Sequence, residues 1–201
     1  VVAFHKAFVS EAKPEVWVVM ELCEMGSFHT IVRALGPLPP SEVGAVCREA
    51  LKGLAYLHDV MKVLHRDIKA GNVLLTSNAH VKLADFGVSA NTDGTLAQQH
   101  TVIGTPHWMA PEVINGSGYD AHADIWSLGI TSLELVEGSP PHAQLKSPMA
   151  AMFRIVNGPP PERDTHGVPF GHFLRRCLAK EPAERALCPE LLNECELTRS
   201  P

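Results

Sequence analysis

The sequence contains no long apolar run, no basic cluster and no regular pairing of cysteines. Its uninterrupted apolar stretches are too short to cross a bilayer. The formal net charge of −5 disfavours nucleic acid and anionic membrane as partners. The five cysteines have neither a disulfide-like nor a metal-binding spacing, and no signal peptide is visible. These absences predict a reducing, cytoplasmic setting.

The length and composition are those of one globular domain. A chain of 201 residues with 45% hydrophobic residues can bury a substantial core. The chain begins with Val1 rather than methionine, which suggests that it is a piece of a longer protein.

Helical patterns dominate outside the polar loops. Ser27 is predicted to cap a short helix, and Ser41 a longer one with an apolar stripe over residues 43–57. A third helix, over about residues 122–137, is apolar on most faces and should be buried. Asp124 near its start is costly to bury unless its carboxylate accepts hydrogen bonds.

The most informative stretch is H-R-D-I-K-A-G-N at residues 65–72. It lies between two short apolar runs, Val63–Leu64 and Val73–Leu75, which predict small strands on either side of a charged loop. A loop with an acid, two cations and a carboxamide contributes little to a core. Its residues therefore indicate chemistry rather than packing.

The side chains of this loop suit phosphoryl chemistry. Asp67 can accept a proton, Lys69 can neutralise phosphate as a point charge, and Asn72 can ligate a hard cation. A turn and a returning strand, His80–Leu83, should bring Asp85 beside Asp67 and Asn72, because the outer ends of a hairpin meet. Two carboxylates and an amide oxygen around one cavity can hold Mg²⁺ and a polyphosphate.

Four motifs in order resemble those of the protein kinases. They are H-R-D-x-x-x-x-N at residues 65–72, D-F-G at 85–87, A-P-E at 110–112 and D-I-W-S-L-G at 124–129. The sequences K-A-G-N, at residues 69–72, and G-T-P-H-W-M, at 104–109, are most similar to the sterile-twenty group, in its germinal-centre and Hippo-like branches. The resemblance covers nearly the whole chain.

The resemblance implies an α+β, protein-kinase-like fold, with a mainly helical large lobe and a remnant of the small-lobe antiparallel sheet. Residues 1–26 would be the last small-lobe strands and the hinge, and residues 27–201 the large lobe. The catalytic loop would span 63–75 and the activation segment 85–112. The sequence has no G-x-G-x-x-G and no lysine in a V-A-I-K context. It is therefore expected to begin after those elements and to be inactive as this segment alone.

The implied activity is transfer of the γ-phosphate of ATP, with Mg²⁺, to Thr or Ser hydroxyls of proteins in intracellular signalling. Asp67, Lys69 and Asn72 would be the catalytic residues, and Asn72 and Asp85 would hold the metal. The remaining nucleotide-binding residues implied by the resemblance are Met20, Glu21, Leu22, Cys23 and Leu74.

The resemblance also implies regulation through the activation segment. Thr101 would be the activating phosphosite, modified by an upstream kinase or by autophosphorylation. Arg66 would pair with the phosphate on Thr101, and Thr105 would shape the substrate-binding loop.

A further set of residues is implied to have structural roles. Asp124 would hold the backbone of the catalytic loop, and Glu112 would form a bidentate ion pair with Arg185. The complete set is His65, Phe86, Gly87, Glu112, Asp124 and Arg185.

Two alternatives to an active kinase stay open at this stage. The absent lysine and Gly-rich loop would also fit a non-catalytic binding or scaffold module built from a kinase large lobe, or a truncated gene product. Against the scaffold module, every catalytic position of the large lobe is present. The sequence upstream of Val1 would discriminate between these alternatives.

Overall fold

The computed structural model describes residues 1–10, 15–85, 106–145, 147–161 and 167–198. Within these ranges the predicted α+β architecture is confirmed: a helical body carries two small antiparallel sheets. The strands are β1 (Phe4–Val9), β2 (Val16–Met20), β3 (Val73–Leu75) and β4 (Val81–Leu83). The helices are α1 (Phe28–Leu35), α2 (Pro40–Ala55), α3 (Pro111–Ile114), α4 (Ala121–Glu137), α5 (Pro148–Asn157), α6 (Val168–Cys177) and α7 (Cys188–Glu194).

Helix α4 lies at the centre of the body. Because its apolar side chains cover nearly every face, it is stable only when other elements surround it, and α1, α2 and α6 pack against it. Trp126 of α4 and Phe170 and Phe173 of α6 are among the largest completely buried side chains. None of the helices in the described ranges combines the length and the apolarity that crossing a membrane requires.

The two predicted helix starts differ in outcome. Ser27 caps α1, and its Oγ accepts from the amide of Thr30 at 3.3 Å. The prediction for Ser41 is wrong, because α2 begins at Pro40 with Pro39 as its N-cap. The fixed φ of a proline already suits the first helical position, so Ser41 lies inside the first turn.

The predicted strand before the charged loop does not form. Val63 makes only a single isolated bridge, and Leu64 belongs to no strand. The backbone φ is 55° at Lys62 and 69° at Arg66. These left-handed residues on both sides interrupt the extended conformation that a ladder needs.

The first sheet, β1 and β2, is exposed on both faces. The strands are antiparallel, with Val9 opposite Val16, and every residue of both strands is exposed. The amide of Val2 donates to the carbonyl of Leu83 at 2.9 Å, which attaches the hairpin to β4.

The second sheet, β3 and β4, packs on the body and positions the charged loop. Its register places Val73 opposite Leu83, and both side chains are buried, with exposed fractions of 0% and 1%. A short 3₁₀ turn, Ala70–Asn72, leads directly into β3. Because the two strands are antiparallel, Ala84, which follows β4, lies beside the start of β3.

The last described residues pack against the start of α2. The 3₁₀ turn Glu196–Thr198 contacts α2 and α6. Gly44 of α2 permits this contact, because a Cβ there would lie 2.4 Å from the carbonyl oxygen of Leu197.

Candidate active site

A buried carboxylate on α4 holds the charged loop. Asp124 is completely buried, and it accepts from the amide of His65 through Oδ2 and from the amide of Arg66 through Oδ1, each at 2.9 Å. His58 Nε2 and the Tyr119 hydroxyl donate to the same carboxylate, each at 2.7 Å. Burial alone would raise the pKa of Asp124, but these hydrogen bonds outweigh burial and lower it. A charged, fully bonded carboxylate thus fixes the loop backbone.

His65 joins the loop to the end of β4. Its Nε2 donates to the carbonyl of Ala84 at 3.0 Å, and its Nδ1 accepts from the amide of Asp67 at 3.4 Å. Burial lowers the pKa of His65, and the charge of Asp124 opposes this effect only in part. A neutral ring, donating at one nitrogen and accepting at the other, satisfies both contacts.

The backbone places Asp85 next to the loop, as the hairpin predicts. The amide of Ala84 donates to the carbonyl of Asn72 at 2.9 Å, so the following residue, Asp85, begins beside Asn72. Asp85 is exposed, and its φ is 65°, a left-handed conformation that is unfavourable for a residue with a Cβ. Such strain clusters at functional sites.

The three predicted catalytic side chains meet at one carboxylate. Lys69 Nζ lies 2.6 Å from Asp67 Oδ2. Asn72 Nδ2 donates to the same oxygen at 2.9 Å and to the carbonyl of Asp67 at 2.7 Å. The Lys69 and Asp67 side chains are 27% and 13% exposed, so a reactant can reach them although half of the residues in the loop are buried.

The donor set suits a hard cation. Both observed bonds of the Asn72 side chain use Nδ2, which leaves the amide oxygen for a metal, and Asp85 supplies a carboxylate. Mg²⁺ commonly binds through one or two such oxygens together with phosphate and water. In the described part of the chain, no group of three or more His, Cys, Asp or Glu residues has the geometry of a metal site. A magnesium site here would therefore be completed by phosphate and water.

The predicted hinge follows β2 and is tied to both sheets. Glu21 accepts from the amide of Ala3 at 3.1 Å and pairs with Lys82 Nζ at 3.0 Å. These contacts, the Ala3 bond first, lower the pKa of Glu21. Met20 and Leu22 are 49% and 75% exposed.

Cys23 and Leu74, which are also predicted to contact adenine, are less exposed than Met20 and Leu22. Burial raises the pKa of the Cys23 thiol. Leu74 is partly buried and forms an isolated antiparallel bridge with Ser27, which brings β3 beside the chain that leaves the hinge.

Glu112 and Arg185 form a bidentate ion pair. The two contacts are Nη1 to Oε1 at 2.7 Å and Nη2 to Oε2 at 3.1 Å. The same guanidinium donates to the carbonyls of His122 and Ala179, and lies 5.2 Å from the ring centroid of Trp126. The pair therefore connects α3, the start of α4 and the chain after α6.

Of the residues with a predicted regulatory role, the structure describes Arg66 but not Thr101 or Thr105. Phe86, Gly87, Thr101 and Thr105 lie outside the described residues. Arg66 is described: its guanidinium lies 5.4 Å from the Tyr119 ring centroid. Its Nε is buried without a hydrogen-bond partner in the described ranges.

Sequence reasoning missed several residues that contact the loop or its anchor, among them Thr131, which bonds the carbonyl of Ile68. His58 and Tyr119 both bond Asp124. His58 lies 66 residues from Asp124, so no local spacing could reveal that contact, whereas Tyr119 lies only 5 residues from it. Glu134 of α4 bonds the amide of Ala70. A signal for Glu134 did exist, since a lone carboxylate inside an apolar helix needs donors.

Comparison of the sequence with known proteins identifies the family of this chain. The family model of the protein kinase domain matches residues 1–195. The chain is 49% identical over 191 residues to Serine/threonine-protein kinase cst-1 of Caenorhabditis elegans, covering 93% of this chain and 38% of that relative. It is 46% identical over 182 residues to Serine/threonine-protein kinase dst1 of Dictyostelium discoideum, covering 89% of this chain and 24% of that relative. The chain thus spans well under half the length of these curated relatives. The resemblance first drawn from four motifs is confirmed, and the chain belongs to the protein kinase family.

Proposed function

We propose that this chain supplies the catalytic loop of a serine/threonine protein kinase, which transfers the γ-phosphate of ATP to Thr and Ser hydroxyls of protein substrates. One observation carries the proposal: Asp67 accepts from Lys69 and Asn72, in a loop whose backbone is fixed by Asp124. Phosphoryl transfer depends on positioning and charge stabilisation more than on a strong base.

Three residues of the loop have different tasks in this reaction. Asp67 orients the substrate hydroxyl and accepts its proton. Lys69 neutralises charge on the transferring phosphate. Asn72 keeps the Asp67 carboxylate in one orientation through Nδ2.

ATP and Mg²⁺ fit the oxygen chemistry of the site. The nucleotide supplies the phosphoryl group, and the cation offsets its charge. Asn72 and Asp85 would hold the metal. The residues that would line the adenine are Met20, Glu21, Leu22, Cys23 and Leu74.

Regulation is proposed to act through Arg66. Its buried Nε lacks a partner in the described ranges, and its guanidinium could pair with a phosphate. Phosphorylation of Thr101, by an upstream kinase or by the enzyme itself, would provide that phosphate and order the loop. Thr105 would shape the substrate-binding segment.

The proposed organisation and location follow from the same family. Residues 1–26 would serve as strands and hinge beside the nucleotide, and residues 27–201 as the large lobe. None of the five cysteines forms a disulfide, which supports a reducing, cytoplasmic setting.

The test is phosphate transfer from radiolabelled ATP by the longest natural form of the protein. Matched peptides with Ser, Thr or Tyr acceptors are used, and Mg²⁺ is varied. Asp67→Asn should lower kcat by at least about 100-fold, because it removes the proton acceptor. Asp59→Asn is the matched control: this exposed carboxylate lies outside the catalytic loop and should leave turnover unchanged.

Two outcomes would contradict the proposal. Equal turnover by wild type and Asp67→Asn would remove the assigned role of the carboxylate. Magnesium-dependent nucleotide binding without transfer to any peptide would favour the non-catalytic scaffold module.

A further inference from the structure

An open cleft of about 720 Å³ lies between α3, the end of α5 and the chain that follows α6. Its lining comes from residues 111–120, from Val156 and Gly158 at the end of α5, and from residues 180–182. A volume of this size can hold a small ligand or a few side chains of a peptide. None of the described residues assigned to catalysis, metal or nucleotide lines it. The cleft is therefore separate from the proposed active site.

Two charged groups of the lining already have partners within the protein. Lys180 Nζ donates to the carbonyls of Ile155 and Val156 in the last turn of α5, where a cation suits the partial negative charge of a helix C-terminus. Glu112 is bonded twice by the guanidinium of Arg185. The charges of Lys180 and Glu112 are therefore largely balanced before any ligand binds.

Two further carboxylates give the cleft a negative rim. The side chain of Asp120 is 60% exposed, and Glu181 is also exposed. Asp120 accepts from the amide of His122 at 2.9 Å, which holds the carboxylate at the start of α4. Among the lining residues that the structure describes, Lys180 is the only lysine or arginine. The rim and the net charge of −5 both favour a positively charged ligand.

The rest of the lining is partly apolar. Pro111, Val156 and Pro182 contribute aliphatic surface, and Tyr119 contributes a partly buried aromatic ring. An arginine side chain joins an aliphatic stem to a planar cation that can bond carboxylates on two sides. A bare metal ion would use only the carboxylates, and the described residues contain no group with the geometry of a metal site. Arginine is therefore the ligand group that matches both parts of the lining.

Tyr119 connects this cleft to the charged loop. The same residue lines the cleft and the small cavity beside Asp67. Its hydroxyl donates to Asp124 at 2.7 Å, and its ring centroid lies 5.4 Å from the guanidinium of Arg66. A ligand that moves the Tyr119 ring would therefore change the surroundings of Asp124 and of the loop amides that Asp124 holds.

We propose that this cleft docks a basic segment of a partner protein, with an arginine side chain between Asp120 and Glu181 and against the ring of Tyr119. The docking lies outside the proposed active site and does not depend on phosphate transfer. Because exposed ion pairs are individually weak, one short segment should bind with low affinity. The contact would add to the affinity and specificity of a partner that also binds elsewhere.

Titration of the ¹⁵N-labelled protein with a capped Gly-Arg-Gly-Arg-Gly peptide tests the site. The amide signals of Gly118 and Gly158, which both line the cleft, should shift in a saturable way. The matched probe is the same peptide with citrulline in place of arginine, which keeps the shape of the side chain and removes its charge. It should bind about tenfold more weakly, as expected for the loss of two exposed ion pairs.

Substitution of the two carboxylates tests where the arginine binds. Asp120→Asn combined with Glu181→Gln should weaken binding of the arginine peptide about tenfold. The fold should be preserved, because asparagine is as good an N-cap for α4 as aspartate. Glu184→Gln is the matched control. Glu184 is an exposed carboxylate of the adjacent turn that does not line the cleft, so this variant should bind like the wild type.

A third variant tests the link through Tyr119. In the wild type, the arginine peptide should also shift the amide signals of His65 and Arg66, since both amides donate to Asp124. Tyr119→Phe keeps the ring in the lining but removes the hydroxyl bond to Asp124. The peptide should still bind to this variant, and the shifts of the two loop amides should be lost.

Three results would overturn parts of the proposal. Equal affinities for the arginine and citrulline peptides would show that charge is not recognised. Unchanged affinity in the double variant, or peptide binding that leaves Gly118 and Gly158 unshifted, would show that the arginine binds elsewhere. Loop shifts of equal size in wild type and Tyr119→Phe would overturn the link through the Tyr119 hydroxyl.

Discussion

The imidazole of His65 is neutral because its two nitrogens have opposite tasks. Nε2 donates to Ala84 and Nδ1 accepts from Asp67, so a proton on Nδ1 would face an N–H group. This ring lies between the end of β4, which leads to Asp85, and the amide of Asp67. Protonation of one buried residue would therefore disturb the site at two places.

The lowered pKa of His65 predicts a pH-dependent stability. The unfolded chain binds a proton near pH 6.5, whereas the folded chain binds it only at lower pH. The stabilisation is therefore complete above that value and is lost as the pH falls towards the folded pKa, with a slope of at most about 1.4 kcal/mol per pH unit. Urea unfolding of wild type and His65→Gln across this range measures it. The difference between the two unfolding free energies should fall with acidity.

The matched control for this prediction is His80→Gln. His80 is exposed, so its replacement should leave the slope of the wild type unchanged. A His65→Gln variant with the wild-type slope would show that this ring does not titrate differently in the folded state.

The sequence could predict the contacts of some residues of the site but not those of others. Asp67, Lys69 and Asn72 lie within one short loop, so their meeting follows from spacing alone. His58 and Tyr119 donate to Asp124 from separate elements. Tyr119 is only 5 residues from Asp124. His58 follows α2 and is 66 residues away, so only the packing of α2 against α4 brings it to this carboxylate.

At the scale of elements, α4 is both the centre of the core and the support of the site. Its polar side chains are the exceptions in an apolar helix, and three of them bond the charged loop. Asp124 holds the amides at 65 and 66, Thr131 Oγ1 donates to the carbonyl of Ile68 at 3.4 Å, and Glu134 accepts from Ala70. The apolar pattern predicted burial of this helix correctly. It could not predict which loop the polar residues would face.

The link between α3 and the chain after α6 is predicted to depend on Arg185. The Arg185 side chain is completely buried, and that of Glu112 is 12% exposed. Arg185→Met should lower the free energy of unfolding by about 3–5 kcal/mol, because it leaves Glu112 and three carbonyls without their donor. Urea denaturation measures this loss.

An exposed ion pair provides the comparison for Arg185. Arg176 and Glu190 lie 2.7 Å apart, with side chains 34% and 47% exposed. Arg176→Met should cost less than about 1 kcal/mol. Equal losses in the two variants would show that burial of the Arg185 pair contributes nothing to stability.

At the scale of the whole molecule, the two hairpins differ in their contact with the body. The β3–β4 hairpin is short, but its ends are buried against α2. The β1–β2 hairpin is longer and exposed on both faces. The β3–β4 hairpin was predicted from its apolar runs, and the strands in residues 1–26 were implied by the family resemblance. The difference in burial could not be predicted, because it depends on where each hairpin lies relative to the helices.

This difference predicts unequal local stability. A two-stranded hairpin exposed on both faces is only marginally stable by itself, so amides of β1–β2 should exchange through local opening. Those of β3–β4 should exchange only near global unfolding, despite having fewer cross-strand pairs. Hydrogen exchange of the amides of Phe8 and Lys82 compares the two hairpins. Bonded and non-bonded pairs alternate along an antiparallel ladder, and the bonds from Ser10 to Glu15 and from Ala84 to Asn72 place Phe8 and Lys82 in bonded pairs. Similar protection at the two positions would contradict the prediction.

The contacts of α4 also restrict where residues can be inserted into or deleted from this protein. One residue inserted within α4 would rotate every later side chain by about 100° around the helix axis. Thr131 and Glu134 would then turn away from the charged loop, while Asp124 would keep its place. An insertion in the exposed turn at residues 77–79 would rotate nothing in the body. Natural variants should therefore gain or lose residues in such turns and preserve the count between Asp124 and Glu134.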